Sequence, residues 1–164
     1  MDNRILYQAA AVGGFVTGLI DALPYVKLIN VFCCIGIVFG GFIAFYYYRS
    51  QSPDIPEEFR LADLVHLALM TAIFGAVISF ALHYIVYKMV GNWDIELLRN
   101  MMDKMDELPP MWDDLYTELE SGKYNGFAGP AILVQSLLVF PVFVFIGTVI
   151  GNKILGNAFK HPED

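Results

Sequence analysis

Residues 18–41 read GLIDALPYVKLINVFCCIGIVFGG, an apolar run that a few polar side chains interrupt. If this run and its apolar flanks formed one helix from Ile5 to Tyr48, that helix would be more than twice as long as a bilayer is thick. The chain must therefore turn within the run. Pro24 disfavours helical geometry at the residue before it, so we place the turn at Asp21–Lys27.

Four stretches of the chain are long and apolar enough to cross a hydrocarbon core of about 30 Å, which takes roughly 20 helical residues. Each stretch is continuously apolar, whereas a strand of a membrane barrel alternates and needs only about 10 residues. We therefore predict an all-α fold, in which residues 1–164 form one bundle of four transmembrane helices. The predicted spans are 5–23, 28–48, 64–87 and 130–150.

Composition supports a membrane protein. Hydrophobic residues make up 57% of the chain and charged residues only 16%, which is far from the balance of an ordinary soluble domain. The net charge is −7, and no run of Lys or Arg is long enough to bind phosphates. Nucleic acid is therefore not an expected partner.

A segment of a different kind separates the third and fourth predicted spans. Residues 92–122 are acidic, and their apolar side chains recur at three- and four-residue intervals on both sides of two prolines. This pattern predicts an acidic, amphipathic helical hairpin outside the membrane. Its apolar side must cover a partner protein, the bilayer interface or itself, and its negative charge disfavours anionic headgroups. The predicted partner-binding residues are Ile95, Leu98, Met102, Trp112 and Leu119.

Small residues recur at every fourth position in the predicted spans. Such stripes allow helix backbones to approach closely, which matters in lipid because dispersion forces replace the hydrophobic drive. The pattern predicts a compact bundle, and it does not distinguish packing inside the chain from packing against a partner. The predicted helix-packing residues are Gly14, Gly18, Gly36, Gly40, Ala72, Ala76, Gly147 and Gly151.

Asp21 lies only about 3 Å of helix rise from the end of the predicted first span. It is followed by Tyr25, which suits the aromatic belt at a membrane surface. We expect Asp21 to be an interfacial turn residue at the end of the first span. The alternative is a buried carboxylate that binds a ligand or carries a proton.

Few residues could bind a cofactor or a metal. Cys33 and Cys34 are adjacent, so on a helix they point about 100° apart and make a poor metal site; a redox or lipid-modified role remains open. His66 and His83 lie seventeen residues apart on the third span, about 25 Å along the axis, so they cannot bind one ion together. Each is either an ordinary hydrogen-bonded histidine or a contact for haem, a pigment or a quinone.

The sequence contains no recognisable catalytic motif. The middle thirds of the four predicted spans contain no Asp, Glu, Lys or Arg, and no Ser-His-Asp set, phosphate loop or HExxH motif is found. We assign no catalytic residue and no metal site. The polar residues at mid-span are Thr71, Ser79, Gln135 and Ser136, and Gln135 and Pro141 are the best candidates for a kink or a solute path.

Several features carry a family resemblance: the small-residue motif that ends at Gly18, the second span that ends in Tyr48-Arg49, the entry Leu61-Ala62-Asp63 to the third span, and the acidic, Met-containing insert before the last span. Together they resemble a family of four-span bacterial membrane proteins of unknown function that is common in Bacteroidetes. Pro109 and Pro110 depart from that pattern. A second set, Pro24, Asn30, Cys33-Cys34, Gly40-Gly41, Ala44 and Tyr46, is similar to a pattern in small uncharacterised bacterial membrane proteins. Neither resemblance implies an activity.

These observations favour a non-catalytic membrane subunit or scaffold that packs against partner membrane proteins, or against itself, in a larger complex. The alternatives are a small oligomeric transporter or channel for an uncharged solute, and a subunit that contacts a cofactor. We expect the bacterial cytoplasmic membrane. The Lys and Arg residues divide five against five between the two sides of the membrane. Because Arg4 flanks the first span, we expect both termini to be cytoplasmic.

Overall fold

A computed structural model describes residues 3–23, 34–51, 59–91 and 129–158, together with a few positions between 96 and 121. Throughout these residues the regular secondary structure is helical, which confirms the all-α prediction for this part of the chain. Four helices lie within the four continuous ranges just given: α1 (Asn3–Ala22), α2 (Ile35–Gln51), α3 (Leu61–Val90) and α4 (Gly129–Ala158).

Three of the helices are long and apolar enough to cross a membrane: α1, α3 and the part of α4 that ends at Leu155. Helix α2 has 17 residues, which is the lower limit for a span. The first part of the predicted second span, residues 28–33, lies outside the described residues. Most of the predicted hairpin at 92–122 lies outside them as well.

Helices α3 and α4 extend beyond the ends of the predicted spans. Helix α3 begins three residues before the predicted span and ends only at Val90, where the N–H of Gly91 donates to the carbonyl of Tyr87. Gly91 has a φ of 86°, a left-handed conformation that suits glycine. Helix α4 continues eight residues beyond the predicted end at Ile150. Apolar runs mark where the hydrocarbon ends, whereas the hydrogen bonds of a helix can continue through polar residues.

The helices form a four-cornered bundle. Helix α1 packs against α2 and α3, and α4 packs against the same two, so the order around the bundle is α1, α2, α4, α3. Close approaches give the directions. Gly13 and Thr17 of α1 meet Ala44 and Gly40 of α2, so these helices are antiparallel. Successive helices along the chain alternate in direction.

The core consists of two apolar clusters, which lie at different positions along the bundle axis. The first cluster joins the beginnings of α1 and α3 to the end of α2, and the ring of Phe59 packs edge-on against Phe45 and Tyr48 at 5.2 and 5.6 Å. The second cluster joins the middle of the bundle: Ile37, Ala68, Ala72, Ala76, Phe140 and Val144. Large apolar side chains also point outward on α1, α3 and α4, as in a helix bundle that faces lipid.

Candidate functional site

The small residues of the four helices lie inside the bundle. All of the predicted helix-packing residues are buried: Gly14, Gly18, Gly36, Gly40, Ala72, Ala76, Gly147 and Gly151. Gly13, Gly41 and Gly75, which the every-fourth-residue pattern omits, are buried too. The stripes therefore serve contacts between helices of the same chain.

Several of these glycines lie against the backbone of a neighbouring helix. A Cβ atom on Gly14 would lie 2.6 Å from the Cβ of Phe74 and 2.9 Å from the carbonyl oxygen of Thr71. A Cβ atom on Gly147 would overlap the carbonyl of Val38 on α2. Backbone atoms cannot rotate away as a side chain can, so a side chain at these positions would push the helices apart. The glycines therefore allow α1 to pack closely on α3, and α4 to pack closely on α2. Little space is left between these pairs for a solute.

Three polar side chains meet where the end of α1 contacts α3. Ser79 is fully buried, and its Oγ donates a hydrogen bond to Oδ2 of Asp21 over 2.6 Å. Nδ1 of His83, one turn further along α3, lies 3.2 Å from the same Oγ and 2.9 Å from the carbonyl oxygen of Ser79. We call Asp21, Ser79 and His83 the polar cluster.

The geometry assigns the hydrogens of the polar cluster. A carbonyl oxygen can only accept a hydrogen bond, so Nδ1 of His83 carries a hydrogen that points to the carbonyl of Ser79. The Ser79 hydroxyl has one hydrogen, and the 2.6 Å distance to Asp21 is typical of a hydroxyl that donates to a carboxylate. Nε2 is the ring nitrogen of His83 that remains for other chemistry.

Asp21 lies in the last turn of α1, close to the end that the sequence predicts for the first span. Its carboxylate is partly buried and accepts the hydrogen bond of Ser79 on α3. Both interpretations of Asp21, an interfacial turn residue and a buried carboxylate that binds a ligand or carries a proton, stay predictions.

Although an aspartate, a serine and a histidine meet here, their connectivity is wrong for nucleophilic catalysis. In a catalytic triad the histidine accepts the serine hydrogen and the aspartate orients the histidine. Here Asp21 accepts the serine hydrogen itself, and the histidine donates to a backbone carbonyl. In this arrangement the histidine does not accept the serine hydrogen as it does in a triad.

The remaining candidate residues are dispersed. His66 and Gln135 are exposed on the outer faces of α3 and α4, and Pro141 lies within a continuous α4 beside a shallow apolar groove. Cys34 is half-buried and precedes α2, where its carbonyl accepts hydrogen bonds from the N–H groups of Ile37 and Val38. Cys33 lies outside the described residues. The described part of the chain brings no three His, Cys, Asp or Glu residues together as a metal site.

The polar residues at mid-span lie on different faces of the bundle. Thr71 and Ser79 point into the core, where Thr71 donates to the carbonyl of Leu67 in its own helix. Gln135 points outward from α4. These three residues therefore do not line a common surface.

In the insert, Met102 is only 2% exposed, so this predicted partner-binding side chain is covered within the chain. Ile95, Leu98, Trp112 and Leu119 lie outside the described residues. Their role in binding a partner stays a prediction.

No protein-family model, curated protein or solved structure matches this chain. The class of protein is therefore defined by the helices themselves, three of which can cross a membrane. The chain is a helical membrane protein with a polar cluster between α1 and α3. The resemblance to a bacterial four-span family stays a prediction.

Proposed function

We propose that the chain is a non-catalytic integral membrane protein with four spans, which acts as a subunit that packs against another membrane protein. The observation that carries this proposal is the position of Gln135. Its side chain lies on the outer face of α4 beside Val134, Leu138 and Val142, which are 57%, 71% and 57% exposed. A polar amide thus interrupts an apolar surface.

The depth of Gln135 makes the amide unfavourable in lipid. The residue follows the start of α4 by six positions, or about 9 Å of helix rise, and Leu133 and Val139 on either side of it pack against the core. An amide in hydrocarbon without a hydrogen-bond partner costs roughly 2–7 kcal/mol. The described part of the chain supplies no partner for it. A polar group on another transmembrane helix would satisfy it, as polar residues do between membrane helices.

The tight interior favours packing over transport. Where α1 meets α3 and α4 meets α2, backbones touch at glycine positions. A solute path through this chain would have to separate those pairs. The outer surface is therefore the better candidate for function.

Helix α2 completes the four spans of this proposal. Its 17 residues reach about 25 Å, slightly less than the hydrocarbon core. It lies between α1 and α4, both of which can span, and contacts them along its length. With four crossings the two chain ends lie on the same side, which we propose is the cytoplasm of a bacterium.

Photo-crosslinking in native membranes tests the proposed surface. A photoreactive amino acid replaces Leu138 beside Gln135 or, as a control, Val77, an apolar side chain on α3 that is 56% exposed. We expect a crosslink from position 138 to another membrane-protein chain, its loss in the Gln135→Leu variant, and only lipid adducts from position 77. Lipid adducts alone from position 138 would contradict the proposal.

A further inference from the structure

We propose that a groove between α3 and α4 binds an acyl chain of an anionic phospholipid. The groove has a volume of about 310 Å³ and opens on the outer side of the bundle. In this assignment the hydrocarbon chain lies in the groove, and the phosphate group lies beside Lys153 near the end of α4. The inference does not depend on the proposed subunit function, because it concerns a lipid and not a protein partner.

The first step of the argument is the chemistry of the groove wall. On α3 the wall consists of Val65, Ala68 and Leu69. On α4 it consists of Pro141, Val142, Phe145 and Ile146. Each of these side chains is a hydrocarbon, so the wall offers no side-chain hydrogen bond to a ligand. A polar solute would lose its hydration there without compensation, whereas an acyl chain would not.

The second step is the shape of the groove. Ala68 is 2% exposed and lies at the floor, whereas Val65 and Val142 are 38% and 57% exposed and form the rims. A closed cavity of about 150 Å³ between apolar side chains is large enough to bind benzene. A groove of about 310 Å³ therefore has room for a segment of an acyl chain. Both helices are long and apolar enough to cross a membrane, so lipid chains reach the groove from the side.

The third step compares an acyl chain with a helix of another protein. Helices that associate in lipid approach closely at small residues or join through polar side chains. Ala68 is the small residue of the groove, and the rest of the wall consists of larger apolar side chains. The groove also extends for fewer than two helical turns on either helix, from 65 to 69 and from 141 to 146. A flexible hydrocarbon chain fits such a short space better than a rigid helix does.

The fourth step is the charge next to the groove. Lys153 is exposed and follows Ile146 by seven residues, which places it on the same face of α4, about 10 Å further along the axis. Arg60 is exposed directly before α3, five residues before Val65. At this end of the bundle the described residues include one acidic side chain, Asp63, and four basic ones: Arg4, Arg49, Arg60 and Lys153. Lys and Arg at a membrane surface attract anionic lipids.

Native mass spectrometry of the purified full chain tests the assignment. The chain is titrated with phosphatidylglycerol, or with phosphatidylcholine that has the same acyl chains. We expect phosphatidylglycerol to bind more tightly, and the bound lipid to be lost in Val142→Trp, whose ring fills the groove. The matched control is Val77→Trp, because Val77 is 56% exposed on α3 and does not line the groove. Lys153→Gln should weaken phosphatidylglycerol binding about fivefold and leave phosphatidylcholine binding unchanged.

Two results of this titration would overturn the proposal. Equal lipid binding by the parent chain and a folded Val142→Trp variant would show that the groove is not the site. Equal affinity for the two lipids, unchanged in Lys153→Gln, would show that the site does not select an anionic headgroup.

Lipid labelling of the unmodified chain keeps the test decisive even if Val142→Trp does not fold. Phosphatidylglycerol with a diazirine in its acyl chain is added to the chain in phosphatidylcholine nanodiscs. We expect labels at 65–69 and 141–146 that unlabelled phosphatidylglycerol suppresses. Labels spread evenly over other exposed apolar positions, such as Phe15 and Val77, would overturn the proposal. The crosslink from Leu138 tests the subunit proposal separately, so either proposal can fail alone.

Discussion

At the scale of single residues, Ser79 differs from the buried threonines in where its hydroxyl points. Thr17, Thr71 and Thr148 donate to carbonyls three or four residues earlier in their own helices, at 2.8 to 2.9 Å. Such bonds satisfy the hydroxyl without joining helices. Ser79 instead donates to Asp21, 58 positions away in the chain, so its loss leaves a carboxylate without that donor.

Replacement of Ser79 by Ala should therefore destabilise the bundle. A buried acceptor that loses its donor typically costs about 1–3 kcal/mol, and more when the acceptor is charged. Ser50→Ala is the matched control, because the Ser50 hydroxyl is exposed and donates to the carbonyl of Tyr47 at the end of α2. Denaturant unfolding in detergent micelles measures both. Equal stability of the two variants would show that the Asp21 contact is not formed.

The sequence identifies the members of the polar cluster one by one, but it does not bring them together. Asp21, Ser79 and His83 are each recognisable as polar residues in or beside an apolar run. Their meeting depends on how far α1 is shifted along α3. Gly14 and Gly18 set that shift by contacting Phe74, Gly75 and Ile78. No periodicity within a single helix specifies it.

At the scale of helices, the glycines determine which pairs pack backbone to backbone. Gly147→Ala tests this for α4 and α2, because the new methyl group would overlap the carbonyl of Val38. Ala is favoured over Gly in a helix by about 1 kcal/mol. The overlap involves rigid backbone and should exceed that gain, since overpacking costs about 1–3 kcal/mol.

The control for Gly147→Ala is Ala131→Val, which adds methyl groups to an exposed position of the same helix. We expect a lower unfolding midpoint for Gly147→Ala and little change for Ala131→Val. A Gly147→Ala variant that is as stable as the parent would mean that α2 and α4 do not touch at this point.

Helix type and number follow from the sequence, whereas helix partners do not. Continuous apolar runs predict helices because each backbone polar group must be satisfied within its own segment in lipid. The small-residue stripes predict close packing, yet a stripe such as Gly36 and Gly40 fits any helix with a matching surface. The pairing of α1 with both α2 and α3 emerges only when all four helices are placed.

At the scale of the whole molecule, alternating helix directions predict that both chain ends lie on the same side. Fusions of green fluorescent protein and of periplasmic alkaline phosphatase to each end measure this in bacterial cells. We expect fluorescence and no phosphatase activity at both ends, in agreement with cytoplasmic termini. Opposite results at the two ends would show that one helix, most readily the short α2, does not cross.

The sequence is least informative about which outer surface of the bundle binds a partner. Lipid-facing and partner-facing side chains are both apolar, so composition cannot separate them. Gln135 becomes distinctive only when α4 is placed and its amide is found on the outer face rather than on the core face with Ser136.

Association through this face is the central claim, and native mass spectrometry of the chain released from native membranes in a mild detergent tests it most directly. The polypeptide alone has a mass of 18.4 kDa. We predict a defined complex heavier than one chain, which contains a second membrane-protein subunit or a further copy, and its loss in Gln135→Leu but not in Leu138→Val. A single 18.4 kDa chain with only bound lipid and detergent would contradict the account.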